Sequence, residues 1–331
     1  MKAIIPVAGV GTRLRPHTYT QPKPLIPVAG KAIISFIIEQ LVEVGIKDFV
    51  FVIGYLGEKI QLFIEKEYPE LNKVFVQQNS REGSAHAIWT AREAIQDSSE
   101  IFIFFGDTII DVDLEQFIAE PTSCVGIKKV ADPREFGVVE LGDGDYLKRV
   151  VEKPNIPKSN LAMVGLYKIK EVEALIEVID HNIREGNQTH GEYQLTDALM
   201  GMIEQGIKIS AIPVNNWFDC GKKEVLLETN AMLLDKEGYA SSNLPNYDNT
   251  IIIHPVSIGS NCQLTNSIIG PHVTIGDNVK IDYSIVKESI IGSYASIEEV
   301  VLQNSLVGSD AAIKGLSQSL NIGDNTEIDF S

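Results

Sequence analysis

The sequence predicts an α/β fold with a mostly parallel sheet and helices on both faces, followed by a parallel β-helix. Over residues 1–110, short apolar runs alternate with segments of helical spacing, which is typical of parallel strands joined by helical crossovers. Nearer the C-terminus, Ile-Gly and Val-Gly pairs recur with small polar residues between them, and Ile269, Ile275 and Ile281 are six residues apart. That spacing is the hexapeptide period of a parallel β-helix.

These patterns divide the 331 residues into two predicted domains. The α/β domain covers residues 1–234, a linker rich in Gly, Ser, Asn and Pro covers 235–250, and the β-helix covers 251–331. One coil of such a helix cannot bury its apolar positions alone, so stacked coils are expected to share one core. The repeat is imperfect near 282–290 and 311–318, and an irregular β-sandwich is the alternative.

Within the first domain, each apolar run ends at a turn residue and predicts a strand. The segments between the runs have the spacing of helices, with Gly45 expected to end the first and Ser84 to cap the third. From about 122 to 170 the pattern changes to strands with turn signals, including a hairpin at 142–145. The predicted strands are 3–7, 49–53, 73–76, 101–105 and 208–213, and the predicted helices are 31–44, 60–68, 84–95, 171–184, 194–205 and one that ends near 234.

Composition excludes several classes of partner. Hydrophobic content of 44% and charged content of 22% are ordinary for a globular protein, while a net charge of −17 and a pI near 4.8 disfavour nucleic acid. The cysteines, Cys124, Cys220 and Cys262, are too far apart for a zinc motif or a disulfide framework. We therefore expect a cytoplasmic location, and neither a signal peptide nor a membrane-spanning segment.

A cationic loop follows the first predicted strand. Gly9 and Gly11 permit a tight turn whose backbone N–H groups can cradle an anion. Arg13 and Lys23 bring positive charge to the same place, and no Asp or Glu precedes Glu39 although the chain is acidic overall. A phosphate is therefore the first candidate ligand, and a surface turn with exposed arginines is the alternative.

Two better-known phosphate loops do not fit this stretch. The dinucleotide fingerprint needs a third glycine where this chain has Leu14, and the Walker loop needs a Gly-Lys-Ser/Thr ending, which is absent. The run Gly-x-Gly-Thr-Arg-Leu-x-Pro, followed by Pro-Lys-Pro-Leu-x-Pro-Val, closely resembles the signature of the sugar-1-phosphate nucleotidyltransferases, although Pro-Val-Ala stands where many members have Leu-Ala-Gly. The resemblance implies that Arg13 and Lys23 bind phosphates as catalytic residues, and that the nucleotide-binding residues are Ala8, Gly9, Gly11 and Thr12.

Asp107 and Asp219 are the candidate metal ligands. Asp107 follows a predicted buried strand and faces the phosphate loop, where a carboxylate suits Mg²⁺, which prefers oxygen ligands and substrate phosphates. Taken alone, Asp107 fits a helix N-cap, although Asp111 and Asp113 serve that role better, and Asp219 fits a turn. In the resembled family, the Asp of a Gly-Asp turn and the Asp of a Trp-x-Asp-x-Gly segment, here 217–221, are metal ligands. The resemblance therefore implies Mg²⁺ as the cofactor.

Two further segments resemble the family's sugar-binding and base-binding regions. Glu152 can accept hydrogen bonds from sugar hydroxyls and Lys153 can meet the sugar phosphate, although a solvated strand end is the usual fate of such a pair. A Gln amide suits the edge of a pyrimidine. His86 is expected to be structural, and the segment 192–197 to lie near the sugar without an assigned role. The resemblance implies binding of the sugar phosphate by Gly137, Glu152, Lys153 and Gly165, and of the base by Gln78 and Gly83.

The resemblance covers the whole chain and implies a reaction. The sugar-1-phosphate oxygen attacks the α-phosphorus of an NTP in line and gives an NDP-sugar and pyrophosphate, with no general base because the nucleophile is already an anion. The longer glucose-1-phosphate thymidylyltransferases are the most similar members, which favours dTTP and glucose-1-phosphate, with UTP next and a mannose-1-phosphate guanylyltransferase third. A non-catalytic regulatory subunit of the same fold is the alternative class.

The C-terminal repeats resemble the left-handed β-helix of hexapeptide-repeat proteins, and the first domain resembles a Rossmann-like fold. A β-helix offers flat faces, so we expect a homo-oligomer assembled through it. Some hexapeptide proteins are acyltransferases, but no such signature occurs here, and His254 and His272 are expected in structural turns. The expected partners are the two small-molecule substrates and copies of the same chain, with no nucleic acid and no membrane.

Overall fold

The computed structural model describes residues 1–236 and 238–315. The chain divides into two compact units, Met1–Thr229 and Asn230–Ser331. The predicted domain limits at 234 and 250 remain predictions. Within the described residues, no helix combines the length and the apolarity that crossing a bilayer requires.

Strands and helices alternate in the first unit as the sequence predicted. Its strands are β1 (Lys2–Val7), β2 (Pro27–Val28), β3 (Lys31–Ala32), β4 (Asp48–Ile53), β5 (Asn72–Gln77), β6 (Ile101–Phe104), β7 (Thr108–Asp111), β8 (Ser123–Lys129), β9 (Gly137–Leu141), β10 (Leu147–Glu152), β11 (Leu161–Ile169), β12 (Ile209–Pro213) and β13 (Asn216–Asp219). The helices are α1 (Ile33–Glu43), α2 (Gly57–Glu67), α3 (Ser84–Thr90), α4 (Arg92–Ile95), α5 (Leu114–Ala119), α6 (Val172–Glu185), α7 (Leu195–Glu204) and α8 (Lys223–Asp235).

Nine of the described strands form one mixed sheet. Its order is β10-β9-β11-β6-β1-β4-β5, with β8 beside β11 and β12 beside β8. The strands β6, β1, β4 and β5 are parallel, whereas β11 pairs antiparallel with β6, β8 and β9. The parallel half is the part that the strand–helix alternation predicted, and the antiparallel half comes from the segment with hairpin signals.

Helices cover both faces of this sheet, as predicted. Side chains alternate along each strand, so Ile4 and Val50 pack against α3, α6 and α7, whereas Ile5 and Phe51 pack against α1, α2 and α5. All four side chains are at most 1% exposed. Burying a side chain of this size contributes roughly 1.5–3 kcal/mol, so the two apolar layers fix the sheet that carries the loops.

Two helix ends differ in how they are capped. Asp113 caps α5 as expected, because its carboxylate accepts a hydrogen bond from the backbone N–H of Gln116 at 3.0 Å. Ser84 was expected to cap α3 but is the first residue of that helix, which follows Gly83 and stops at Thr90. The Ser84 hydroxyl instead accepts a hydrogen bond from the N–H of Leu195, at the start of α7. A contact between segments so far apart in sequence cannot be read from local propensity.

The described part of the second unit consists mainly of short parallel strands in three four-stranded sheets. These are ordered β14-β17-β20-β23, β15-β18-β21-β24 and β16-β19-β22-β25. The strands are β14 (Ile251–Ile252), β15 (Val256–Ile258), β16 (Gln263–Thr265), β17 (Ile268–Ile269), β18 (Val273–Ile275), β19 (Lys280–Asp282), β20 (Ile285–Lys287), β21 (Ile290–Ile291), β22 (Ser296–Glu298), β23 (Val301–Gln303), β24 (Leu306–Val307) and β25 (Ala312–Lys314).

The step of six places one buried residue on each sheet in turn. Ile269 lies in β17, Ile275 in β18 and Ile281 in β19, and each is at most 1% exposed. Each coil therefore has three sides, and its apolar residues stack on those of the next coil. This confirms the predicted β-helix and is consistent with the left-handed form. The imperfect stretch at 282–290 continues the sheets as β20 and β21, and the predicted repeats beyond residue 315 lie outside the described residues.

Candidate active site

The carboxyl ends of three parallel strands open into one cavity. β1 ends at Val7, β5 at Gln77 and β6 at Phe104, and the loops after them line a space of about 640 Å³. Ligands bind at this edge of parallel sheets because the loops converge there. The lining contains every residue predicted for the nucleotide, namely Ala8, Gly9, Gly11, Thr12, Gln78 and Gly83, together with Arg13, Lys23 and Asp107.

A second cavity of about 230 Å³ adjoins the first. Both are lined by Arg13, Phe105 and Asp107, so they meet beside the cationic loop. The structure therefore brings all the predicted site residues into two adjoining cavities. Those predicted for the sugar phosphate and the second metal ligand line the smaller cavity: Gly137, Glu152, Lys153, Gly165 and Asp219.

Lys23 carries a buried ammonium group at this junction. Its side chain is 7% exposed, and its Nζ donates to Asp107 Oδ2 at 2.8 Å and to Asp219 Oδ1 at 3.4 Å. The antiparallel ladder of β7 and β13 brings the two carboxylates together. Asp107 directly precedes β7, and Asp219 ends β13, where it lies opposite Thr108. A buried ammonium without such partners would cost on the order of several kcal/mol in lost hydration.

This ion pair shifts the pKa values of both partners. Burial by itself lowers the pKa of Lys23, but the charges of Asp107 and Asp219 outweigh it and raise that pKa above its ordinary value. Burial by itself raises the pKa of Asp107, but the Lys23 ammonium, helped by Arg13, holds it below its ordinary value. Both Lys23 and Asp107 are therefore charged at neutral pH, which suits one to phosphate and the other to a metal ion.

Arg13 links the nucleotide loop to two other segments. Its Nη2 donates to Asp219 Oδ2 at 3.2 Å, and its Nη1 lies 3.9 Å from Glu135 Oε2, which also accepts a hydrogen bond from Lys222 at 2.8 Å. A Cβ at Gly221 would lie 2.5 Å from the Arg13 guanidinium, so a larger residue there would displace it. The guanidinium is half exposed and remains accessible to a phosphate.

The glycine loop is fixed on one side and open on the other. Gly11 has a φ of 67°, and a Cβ there would lie 3.0 Å from Thr18 Cγ2 and 3.1 Å from Lys23 Cβ. The Thr18 hydroxyl donates to the Gly11 carbonyl at 2.9 Å. In contrast, apart from Gly9 and its two chain neighbours, no heavy atom of the described residues lies within 4 Å of a Cβ built at Gly9. A ligand can therefore approach the backbone at Gly9.

Gln78 and Gly83 line the larger cavity and lie close to each other. Gln78 is 5% exposed, and its Nε2 lies 2.9 Å from His86 Nδ1 and 3.5 Å from the Gly83 carbonyl oxygen. Gly83 has a φ of 113°, and a Cβ there would lie 2.4 Å from the Tyr193 carbonyl oxygen. The close approach of two backbones explains the glycine at this position.

Glu152 and Lys153 line the smaller cavity at the end of β10. Glu152 Oε2 accepts a hydrogen bond from the Thr196 hydroxyl at 3.1 Å, and Glu152 Oε1 lies 3.5 Å from Lys153 Nζ. A Cβ at Gly137 would lie 2.7 Å from Thr196 Cγ2. Gly165 has a φ of 81° and packs against Phe105. The carboxylate and the ammonium thus offer a hydrogen-bond acceptor and a donor to the smaller cavity.

The two aspartates at the junction fit a hard divalent cation. Asp107 lines both cavities and its side chain is 43% exposed, whereas Asp219 lines the smaller one and its side chain is 21% exposed. In the described part of the chain, no group of three or more His, Cys, Asp and Glu side chains could hold a metal ion. A cation held by two carboxylates would complete its shell with substrate phosphates and water, which is the usual arrangement for Mg²⁺.

Several residues of the site were not predicted from the sequence. Arg81 lines the larger cavity, and Phe105 and Glu192 line both. Glu192 belongs to the segment 192–197, which was noted without a role. Glu135 and Lys222 gave no sequence signal, because they are 87 residues apart and their contact depends on the fold.

Comparisons with known proteins place the chain in a family. Residues 2–236 match the profile of the nucleotidyl transferase family. A bifunctional protein GlmU of Methanocaldococcus jannaschii is 39% identical over 238 residues, which cover 71% of this chain and only 55% of that relative. A glucose-1-phosphate thymidylyltransferase of Streptomyces griseus is 28% identical over 324 residues, which cover 91% of this chain and 89% of that one. The chain belongs to the nucleotidyl transferase family, which confirms the resemblance of the motifs.

Solved structures support the fold. A putative glucose-1-phosphate thymidylyltransferase from Bacillus anthracis superposes with a TM-score of 0.62 at 24% identity, over 72% of this chain and 96% of that one. A UDP-glucose pyrophosphorylase from Acinetobacter baumanii gives a TM-score of 0.60 at 20% identity, over 72% and 95%. At these identities the similarity concerns the architecture alone.

Two glycines with positive φ test the close approach of Gly83 to the Tyr193 backbone. A Cβ added at position 83 would meet the Tyr193 backbone, whereas one added at Gly206, which has a φ of 86°, would meet no described heavy atom within 4 Å beyond its chain neighbours. We expect Gly206→Ala to lower the free energy of unfolding by about 1 kcal/mol and Gly83→Ala by about 3 kcal/mol or more. Urea denaturation measures both, and equal losses would contradict the close approach.

Proposed function

We propose that the protein is a sugar-1-phosphate nucleotidyltransferase, which converts an NTP and a sugar-1-phosphate into an NDP-sugar and pyrophosphate. The observation that carries the proposal is the junction of the two cavities, where Arg13, Lys23, Asp107 and Asp219 meet. A nucleotide in the larger cavity and a sugar phosphate in the smaller one would place their phosphates beside these charges. Membership of the nucleotidyl transferase family supports the same reaction.

The proposed roles follow from charge and position. The attacking oxygen belongs to a phosphate and is already anionic, so no residue needs to remove a proton. Arg13 and Lys23 stabilise the charge of the triphosphate and of the departing pyrophosphate, and Lys153 restrains the attacking phosphate. The remaining acceleration comes from holding the two phosphates in line.

Asp107 and Asp219 are the proposed ligands of a divalent cation, and Mg²⁺ is the ion that their oxygen donors suit best. When bound, such an ion neutralises phosphate charge and orients the reacting phosphoryl group. Lys23 donates to both carboxylates, and this keeps them close together. It also keeps Asp107 ionised by lowering its pKa.

For the substrates, we propose dTTP with UTP next, and glucose-1-phosphate as the acceptor. The Streptomyces griseus relative, named glucose-1-phosphate thymidylyltransferase, supports this order because it matches 91% of the chain. UTP stays the second choice, as the resemblance of the motifs implies. Mannose-1-phosphate guanylyltransferase stays third. A cytoplasmic location also stays a prediction.

The two other classes have less support. A regulatory subunit of this fold typically lacks one of the charged residues, but here Arg13, Lys23, Asp107 and Asp219 are all present and in contact. For acyl transfer, the sequence carries no acyltransferase signature, and we keep both repeat histidines as structural residues: His254 is exposed, and His272 Nε2 lies 3.1 Å from Asp235 Oδ1.

The reaction is tested by measuring pyrophosphate release with Mg²⁺ across five NTPs and several sugar-1-phosphates. We expect release with dTTP or UTP and glucose-1-phosphate, and none after chelation of the metal. Release restricted to GTP and mannose-1-phosphate would replace the proposed substrates but not the class. If a folded protein that still binds nucleotide released no pyrophosphate with any combination of substrates, the result would favour the regulatory subunit.

Charge removal tests the assigned roles within that assay. Arg13→Ala and Lys23→Ala should each lower turnover roughly a hundredfold, the scale of losing one preorganised charge donor. Asp107→Asn should abolish the metal-dependent rate. Lys66→Ala and Asp97→Asn, which remove exposed charges elsewhere, serve as matched controls and should leave turnover unchanged. Near wild-type turnover in Asp107→Asn would reject the metal assignment.

We also propose a homo-oligomer assembled through one face of the β-helix. On the sheet β14-β17-β20-β23, outward residues in register form an apolar column of Ile251, Ile268, Ile285 and Val301, and its end members are 60% and 70% exposed. The corresponding column on the sheet β16-β19-β22-β25 is mostly polar, with Gln263, Lys280, Ser296 and Ala312. An exposed apolar strip of this kind marks an interaction surface.

Light scattering after gel filtration tests this interface. The double variant Ile251→Lys/Val301→Lys should shift the protein toward the monomer, because it places charges in the apolar column. The control Gln263→Lys adds a charge to the polar column and should leave the mass unchanged. A monomeric wild-type protein, or an oligomer that resists the double variant, would reject this face.

A further inference from the structure

The amide of Gln78 is held by two groups of the protein before any ligand is present. Gln78 follows β5, lines the larger cavity and is 5% exposed. Its Nε2 lies 2.9 Å from His86 Nδ1 and 3.5 Å from the Gly83 carbonyl oxygen. The amide nitrogen carries two hydrogens, and each has one of these atoms within reach.

These neighbours fix which end of the amide is available to a ligand. The Gly83 carbonyl can only accept a hydrogen bond, so the atom beside it must be the Gln78 nitrogen and not its oxygen. The imidazole Nδ1 then acts as the acceptor for the second hydrogen, and the ring proton is on Nε2. The end of the amide that remains for a ligand in the cavity is therefore Gln78 Oε1, which is a hydrogen-bond acceptor.

The His86 ring is itself fixed by a stack of side chains on the same stretch of helix. It stacks on Trp89 of α3, with ring centroids 5.8 Å apart and planes 26° apart. The guanidinium of Arg92, the first residue of α4, lies 3.7 Å from the centroid of the Trp89 ring. The Trp89 indole N–H donates to Asp180 Oδ1 of α6 at 3.3 Å. Nδ1 therefore has a defined place relative to the cavity wall, which a lone surface imidazole would lack.

We propose that His86 is a positioning residue for base selection, acting through Gln78. By accepting a hydrogen bond from Gln78 Nε2, His86 leaves Gln78 Oε1 to face the base. An acceptor at that place favours a base whose edge carries a ring N–H. Thymine and uracil carry a ring N–H at N3, whereas cytosine has a bare acceptor there and meets Oε1 with repulsion. His86 thus selects dTTP and UTP against CTP, which is a pyrimidine of the same size. This inference rests on the proposed function.

The experiment compares kcat/KM for dTTP, UTP and CTP in the wild-type protein, in four single variants and in one double variant. His86→Phe keeps a ring on Trp89 but removes the acceptor, and His86→Asn restores an oxygen near the place of Nδ1. Thr90→Val is the matched control, because it removes the hydrogen bond from the Thr90 hydroxyl to the His86 carbonyl without touching Gln78. Gln78→Ala provides the background in which His86 should no longer matter.

We expect His86→Phe to raise KM for dTTP and UTP about fivefold, the scale of one orienting hydrogen bond, and to change kcat by less than about twofold. The preference over CTP should fall by a similar factor, return in His86→Asn and stay at the wild-type level in Thr90→Val. In the Gln78→Ala background, adding His86→Phe should change neither value. Melting temperatures of all variants separate these effects from loss of folding.

The outcomes that overturn the inference differ from those that overturn the proposed function. A wild-type enzyme that discriminates against CTP and keeps that discrimination in His86→Phe would reject His86 as a positioning residue. An equal effect of His86→Phe with and without Gln78 would assign the residue to packing alone. Absence of turnover by the wild-type protein with every NTP would instead reject the proposed function.

Discussion

The buried ammonium of Lys23 is the constraint on which the candidate active site depends. An ammonium that is 7% exposed must have anionic partners, and here two carboxylates supply them. Lys23 belongs to the loop after the first strand, Asp107 to the turn after β6, and Asp219 to the end of β13. One charge therefore ties three segments together, and displacing either aspartate would leave the buried Lys23 with only one anionic partner.

The pairing of β7 with β13 already brings the backbones of the two aspartates together. The short ladder between β7 and β13 sets Asp219 opposite Thr108, one residue from Asp107, so the two acids are neighbours before any side chain is placed. Gly221 then leaves room for the Arg13 guanidinium beside Asp219. The same cluster lowers the pKa of Asp107 and raises that of Lys23, so the charges persist across the neutral range in which phosphate chemistry takes place.

The sequence predicted what depends on local pattern and missed what depends on tertiary contact. The apolar runs gave the parallel strands, and the step of six at Ile269 gave the β-helix, because each pattern repeats a local geometry. The motifs gave the charged residues of the site. The pairing of Glu135 with Lys222 has no local signature, and Ser84 serves a helix more than a hundred positions away instead of its own. Such contacts exist only once the strand order is fixed.

Two kinds of interaction act in the proposed site: attraction between charges and a directional hydrogen bond. At the phosphate end, attraction among Arg13, Lys23 and the two aspartates acts over several ångströms and tolerates small shifts of position. For the base, the proposed discrimination depends on which end of the Gln78 amide faces the ligand, and that depends on a contact of 2.9 Å to His86. A hydrogen bond loses its strength within a few tenths of an ångström and a modest rotation. Under the proposed function, the charged residues set the type of reaction, whereas the choice of base rests on His86, which acts through Gln78 and not by contact with the base.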